Sequence, residues 1–79
     1  MNISINLNVP QEVVDLILAK AKELGCEKPK DEKLLVTDTM TAVVKNNLYV
    51  YAHEGMKETL DLWFDHNSDD FEDLLANQR

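Results

Sequence analysis

The stretch that most constrains this chain is residues 39–53, which read TMTAVVK, then NN, then LYVYAH. β-Branched and aromatic residues crowd both sides of the asparagine pair, and this composition is typical of two antiparallel strands joined by a tight turn. Asn46 and Asn47 suit a type I′ turn, because asparagine tolerates the positive φ that such a turn needs twice. The pattern predicts a β-hairpin in which Val43 faces Val50 across the turn.

A helix over residues 34–51 is the alternative to this hairpin. The hairpin is favoured because so many threonine and valine residues would lose rotamer freedom in a helix. In the hairpin Tyr49 and Tyr51 share one face of the sheet. We expect them to pack there rather than stack on nucleic-acid bases, since Lys45 is the one basic residue nearby. The alternative helix would place the following residues on one face: Thr37, Met40, Val44, Leu48 and Tyr51.

The sequence before the hairpin predicts one strand and one helix. Apolar and polar residues alternate over residues 3–9, which is the pattern of a half-buried strand. Pro10 ends this strand and suits the first turn of a helix. Apolar residues then recur at spacings of three and four as far as Leu24, and Gly25 is expected to cap the helix in a left-handed conformation.

After the hairpin Gly55 turns the chain, and residues 56–66 are expected to form a helix with Met56, Leu60, Trp63 and Phe64 pointing inward. Asn67 or Ser68 could end it and cap a second short helix, although one continuous helix also fits the pattern. With residues 34–36 entering the second strand, the prediction is an α+β fold in one domain over residues 1–79. Its order is β-α-β-β-α, with the sheet and first helix in residues 1–53 and an acidic helical arm in residues 54–79.

Negative charge is concentrated in the arm. The chain carries a net charge of −7, and residues 54–79 contain eight acidic and two basic residues. On one helix most of these carboxylates would lie within about 80° of each other, one turn apart, a spacing that resembles the phosphates of a nucleic-acid strand. The arm is therefore predicted to bind the basic surface of a protein that handles nucleic acid; the alternative is a solvated face that only keeps the protein soluble. The predicted partner-binding residues are Glu54, Glu58, Asp61, Asp65, Asp69, Asp70 and Glu72.

Composition argues against several other classes. An acidic chain is a poor ligand for nucleic acid itself. The single cysteine, Cys26, allows no internal disulfide, and with no signal-peptide pattern this predicts a cytoplasmic protein. No apolar run has the length of a membrane span. His53 and Glu54 are followed by Lys57 where a helical zinc motif needs its second histidine. We therefore expect no enzyme, no cofactor and no metal site, and we leave the oligomeric state open.

The order of elements, together with KNNLYV at residues 45–50 and the acidic segment 61–73, resembles the DNA-damage-inducible protein I family. Members of that family have a β-α-β-β-α fold and bind RecA-type recombinase filaments through an acidic C-terminal helix. The resemblance implies a recombinase filament as the partner. It also implies these contact residues: Glu58, Asp61, Asp65, Asp69, Asp70 and Glu72.

Residues 5–25 also resemble the ribbon and first helix of Arc-type ribbon-helix-helix repressors. This second resemblance implies a dimer whose strands enter the major groove of DNA, with Ser4, Asn6 and Asn8 reading the bases. The second helix of that family should begin soon after Gly25. Here the chain instead has Pro29 and then the stretch predicted as β, so the resemblance ends after the first helix. A DNA-binding repressor is therefore the alternative function and not the main prediction.

Overall fold

A computed structural model of the chain describes residues 8–79, and this part of the chain consists of five helices without a strand. The predicted α+β fold is therefore wrong for the described residues. The strand predicted at residues 3–9 lies outside them except for Asn8 and Val9, which have no regular secondary structure. The helices are α1 (Gln11–Glu23), α2 (Glu32–Asn46), α3 (Leu48–Glu54), α4 (Met56–His66) and α5 (Ser68–Ala76).

The predicted hairpin is wrong because its two arms belong to α2 and α3. Asn47 joins these helices with a φ of −137°, and within residues 8–79 only glycines have a positive φ. A type I′ turn is therefore not formed, and residues 34–36, predicted to start a strand, lie in the first turns of α2. The helical alternative had the right type of structure, but Asn47 divides it into two helices, and its predicted face is right at Met40 and wrong at Thr37 and Leu48, which are exposed. The buried side chains of α2 are Leu35, Val36, Thr39, Met40 and Val43.

Helix α2 forms despite its many β-branched residues, and its N-cap and two of its threonines make hydrogen bonds within the helix. The carboxylate of Asp31 caps the helix by accepting from the amide of Leu34 at 3.1 Å. The hydroxyl of Thr37 donates to the carbonyl of Lys33 at 2.8 Å, and that of Thr41 donates to the carbonyl of Thr37 at 2.7 Å. Each β-branched residue costs only about 0.5 kcal/mol in a helix. Full burial of one large apolar side chain contributes about 1.5–3 kcal/mol, so packing outweighs propensity.

The prediction for the first helix is confirmed. Helix α1 starts directly after Pro10, and Gly25 follows its end with a φ of +95°. The amide of Gly25 donates to the carbonyl of Lys22 at 3.0 Å, and the amide of Cys26 donates to that of Ala21 at 2.8 Å. These two bonds form a Schellman motif, which explains the need for glycine at this position.

The core is built by α1, α2, α4 and α5. The inward positions predicted for α4 are confirmed, since Leu60 and Trp63 are fully buried and Phe64 packs against the core. Trp63 and Phe64 form an aromatic cluster with Phe71 of α5, with ring centroids between 5.0 and 6.1 Å apart. The fully buried apolar residues on these four helices include Ile17, Ala21, Val43, Leu60, Trp63, Phe71 and Leu75.

Single residues separate the last four helices. Gly55 joins α3 to α4 with a φ of +89°, and its carbonyl accepts from the Thr59 hydroxyl at 2.6 Å. Asn67 joins α4 to α5, so the predicted break near Asn67 and Ser68 is confirmed. Residues 54–79 are therefore not one straight rod, and the common carboxylate face predicted for such a rod is wrong.

The C-terminal residues fasten the loop between α1 and α2. Gln78 is buried, its side-chain Oε1 accepts from the amide of Asp31 at 2.7 Å, and its carbonyl accepts from the amide of Lys30 at 3.0 Å. The guanidinium of Arg79 donates to the carbonyl of Leu24 at 2.9 Å. The sequence pattern indicated none of these contacts, because they join residues far apart in the chain.

Candidate partner-binding surface

The seven predicted partner-binding residues are distributed over three helices. Glu54 ends α3, Asp69 and Asp70 lie in the first turn of α5, and Glu72 follows one turn later. Glu58, Asp61 and Asp65 lie on α4. All seven are at least partly exposed. The direction in which each carboxylate points depends on the orientation of the helix that carries it.

Four of the seven residues line one groove between α3 and α4. This open groove has a volume of about 320 Å³ and is lined by Glu54 of α3, by the three α4 carboxylates, and by two apolar side chains, Val50 and Leu62. We call it the acidic groove. Gly55 allows the two helices to turn against each other, which brings Glu54 beside residues of the next helix.

The outward face of α4 follows from the position of its buried residues. Because Leu60 and Trp63 point into the core, residues on the opposite side of the helix face solvent. Glu58 and Asp65 are one turn before and after Leu62, so this leucine lies between two carboxylates. Along the helix axis Glu58 and Asp61 are separated by about 4.5 Å and Asp61 and Asp65 by about 6 Å. Helix α4 thus keeps a short part of the predicted carboxylate row.

The carboxylates of the acidic groove have no ion-pair partner among residues 8–79. The ion pairs in that part of the chain join Lys20 to Glu23 at 3.5 Å, Lys57 to Glu12 at 3.6 Å and Arg79 to Glu72 at 3.6 Å. Like charges one turn apart on a helix destabilise it by a few tenths of a kcal/mol per pair. The groove therefore concentrates negative charge that forms no ion pair within the described residues.

The three predicted residues on α5 do not line the acidic groove. Glu72 already pairs with Arg79. Asp69 and Asp70 lie in the first turn of a helix, where negative charge favourably meets the positive end of the helix dipole. A local structural role accounts for each of these carboxylates.

A second groove lies on the other side of α4, between this helix and α1. It has a volume of about 410 Å³, and Asp61 and Asp65 line it as well. Lys20 of α1 also lines this groove and places its Nζ 5.9 Å from the centre of the Phe64 ring. This lysine supplies a positive charge of the chain itself, which distinguishes the α1–α4 groove from the acidic groove.

The apolar part of the surface was missed by the sequence prediction. Tyr49 was expected to pack on a sheet, but it is 77% exposed, and its ring centroid lies 4.3 Å from that of His53 with the ring planes tilted by 41°. Leu48 is 60% exposed and Leu62 is 36% exposed. A helical projection of residues 56–66 could have revealed Leu62 among the carboxylates, because it falls outside the apolar face of that helix.

Within residues 8–79 the residue types that could act as a nucleophile or as metal ligands do not form a second candidate site. Cys26 is a free thiol that is buried against the core. Within residues 8–79 no three histidine, cysteine, aspartate or glutamate side chains are grouped so that they could hold a metal ion. None of the helices in this part of the chain has the length and apolar character required to cross a membrane.

Comparison of the chain with protein-family models, with curated proteins and with solved structures gives no match.

Proposed function

We propose that the chain is a small acidic regulatory protein without catalytic activity, which acts in the cytoplasm by binding a basic surface of a nucleic-acid-handling protein. The observation that carries this proposal is the convergence of four carboxylates on the acidic groove without an ion-pair partner among residues 8–79. Close charge complementarity speeds association and selects partners of the opposite sign. A basic groove that normally holds a nucleic-acid strand is a partner surface of this kind.

The test compares two triple variants that remove the same charge. One variant carries Glu58→Gln, Asp61→Asn and Asp65→Asn in the acidic groove, and the control carries Asp69→Asn, Asp70→Asn and Asp73→Asn on α5. The probe is a RecA-type recombinase filament on fluorescent single-stranded DNA, titrated with the chain at low salt. Each exposed ion pair contributes about 0.2–1 kcal/mol, so the groove variant should bind on the order of tenfold more weakly.

Three outcomes distinguish binding through the acidic groove from binding by net charge and from no binding. Weaker binding by the groove variant alone supports the proposal. Equal weakening by both variants indicates that binding follows net charge, as expected of a face that only keeps the protein soluble. An unmodified chain that does not bind the filament at low salt excludes this partner class.

A ribbon-helix-helix repressor is the second candidate, and one observation favours it. The stretch after Gly25 is not β, because α2 begins at Glu32, so two helices follow the alternating segment in the order of that family. Of the residues proposed to read bases, Ser4 and Asn6 lie outside the described residues, and Asn8 is exposed and has no regular secondary structure. This candidate predicts a dimer in sedimentation experiments and binding to a specific DNA duplex that Asn6→Ala weakens. A monomer that does not shift any duplex at low salt would exclude it.

A further inference from the structure

Helix α3 combines an unusually exposed position with apolar side chains. None of its seven residues is buried, and Leu48 and Tyr49 are the most exposed large apolar residues among residues 8–79. Val50, on the side of α3 that faces α4, is partly buried and lines the acidic groove with Leu62. Exposed apolar surface rimmed by polar residues is typical of a protein interaction site.

The acidic groove differs from two other grooves of the molecule in the charges that line it. The groove between α1 and α2, about 280 Å³, has Val14 and Val36 in its lining, together with Lys33 and Glu32. The α1–α4 groove contains Lys20. The lining of the acidic groove consists of four carboxylates and two apolar side chains, so it combines apolar surface with one sign of charge.

We propose that the occupant of the acidic groove is a basic amphipathic α-helix of the partner protein. Its apolar side chain contacts Val50 and Leu62, while lysine or arginine side chains on either side pair with the surrounding carboxylates. This inference rests on the proposed function, because it names the part of a basic partner that the groove recognises.

The arrangement of charge on both walls supports a helix as the occupant. Helix α3 lines the groove with Glu54 and Val50, and helix α4 lines it with Leu62 and three carboxylates. A helix presents apolar and basic side chains three and four positions apart on one face, so a single turn can contact both the apolar and the acidic side chains of the groove. The long stems of lysine and arginine also cover apolar surface while their charged ends stay in water.

The size of the groove supports the same occupant. A volume of about 320 Å³ is at the lower end of the range for small-ligand sites, and this groove is open. It therefore accommodates a few side chains that project from a larger partner. A second copy of the chain is disfavoured, because a two-fold contact through this surface would place acidic rim against acidic rim.

The experiment measures binding of the full chain to two synthetic lysine–leucine peptides of identical composition by calorimetry. In the first peptide the leucines recur at helical spacing, and in the second they are distributed around the helix. The chain should bind the first peptide more tightly. Leu62→Ser should weaken that binding about threefold, because Leu62 is 36% exposed and a partner can bury only this remaining part of its surface. Leu34→Ser is the matched control, since Leu34 is 46% exposed on α2 and does not line the groove.

The outcomes distinguish this inference from the function on which it rests. Loss of binding with Leu62→Ser but not with Leu34→Ser supports the helical occupant. Unchanged binding with Leu62→Ser, together with loss on Asp61→Asn and Asp65→Asn, overturns the inference and leaves an acidic binding surface. Unchanged binding in every variant overturns both. A dimer of the chain in sedimentation that Leu62→Ser dissociates would identify a second copy as the occupant and also overturn the inference.

Discussion

Helices α3 and α4 line the same groove, yet they are held in the fold in different ways. Helix α4 buries Thr59, Leu60 and Trp63, so its orientation is determined by the core. Helix α3 buries no side chain and is held by its joints at Asn47 and Gly55 and by its packing beside α4. The difference indicates that α4 supplies a rigid wall of the groove, while α3 supplies an exposed wall whose residues are available for binding.

The largest expected effect is a loss of stability when a buried side chain of α4 is removed. Trp63→Ala should destabilise the protein by about 3–5 kcal/mol, because it leaves a cavity beside Phe64 and Phe71. Tyr49→Ala on α3 should change stability by less than about 0.5 kcal/mol. Urea unfolding followed by circular dichroism measures both. If Trp63→Ala does not fold, Trp63→Phe should give a smaller loss, and comparable losses at Tyr49 and Trp63 would contradict the contrast.

The next largest loss of stability is expected at Gly55, which connects α3 to α4. Gly55 has a φ of 89° and a ψ of 175°, a region that is essentially restricted to glycine. No atom lies within 4 Å of a Cβ added there, so Gly55→Ala should cost about 1–3 kcal/mol through backbone strain alone. Gly25→Ala is the control, since it also has a positive φ but lies after α1.

Peptide binding then shows whether the two glycines differ in function. Both alanine variants should lose stability, but only Gly55→Ala should also weaken binding at the acidic groove. Equal binding by both variants would indicate that the position of α3 does not depend on Gly55.

A smaller effect is expected from the hydroxyl that connects the start of α4 to the same joint. Thr59→Val removes the bond that the hydroxyl donates to the carbonyl of Gly55 and should cost about 1 kcal/mol. The hydroxyl of Thr39 is equally buried but has no hydrogen-bond partner among residues 8–79. Thr39→Val should therefore be neutral or stabilising, because it removes an unsatisfied polar group. Chemical denaturation of the two isosteric variants gives the comparison, and a loss in Thr39→Val as large as in Thr59→Val would contradict it.

The smallest effect on stability is expected from replacing the exposed carboxylates of α4. The double variant Asp61→Asn and Asp65→Asn should change the unfolding free energy by less than about 0.5 kcal/mol, with a slight gain at low salt as like-charge repulsion is relieved. Binding of a basic peptide should fall in the same variant. Thermal unfolding at low and high salt provides the measurement, and a large loss of stability would show that these carboxylates have a structural role.

Several local features were accessible from the residues in isolation. The spacing of apolar residues identified α1 and the inward face of α4, and glycine and asparagine at positions 25, 55 and 67 marked where helices end. These predictions succeeded because each depends on periodicity or on a backbone conformation that few residues can adopt. The carboxylates of α4 were also correctly expected to be exposed.

The site itself was only partly predictable. The seven carboxylates were identified as a group, but their division into four groove residues and three on α5 required the orientations of three helices. The two apolar side chains that line the groove were overlooked because Val50 had been placed in a strand and Leu62 had been given no role. The hydrogen bonds of Gln78 and Arg79 to the loop between α1 and α2 are not visible in a sequence pattern, since they join residues 47 and 55 positions apart.

Residue order alone is enough to place the acidic excess in the last third of the chain, to end α1 at its glycine cap and to expect a turn at Gly55, whereas it left open whether the chain breaks at Asn67. Packing decided that residues 34–46 form a helix and not a strand, since α2 buries five side chains whereas α3 buries none. Their β-branched side chains express a local preference of only a few tenths of a kcal/mol each, whereas every core position of α2 contributes several times more on burial. The same packing turned α3 against α4 and so determined which carboxylates share a groove.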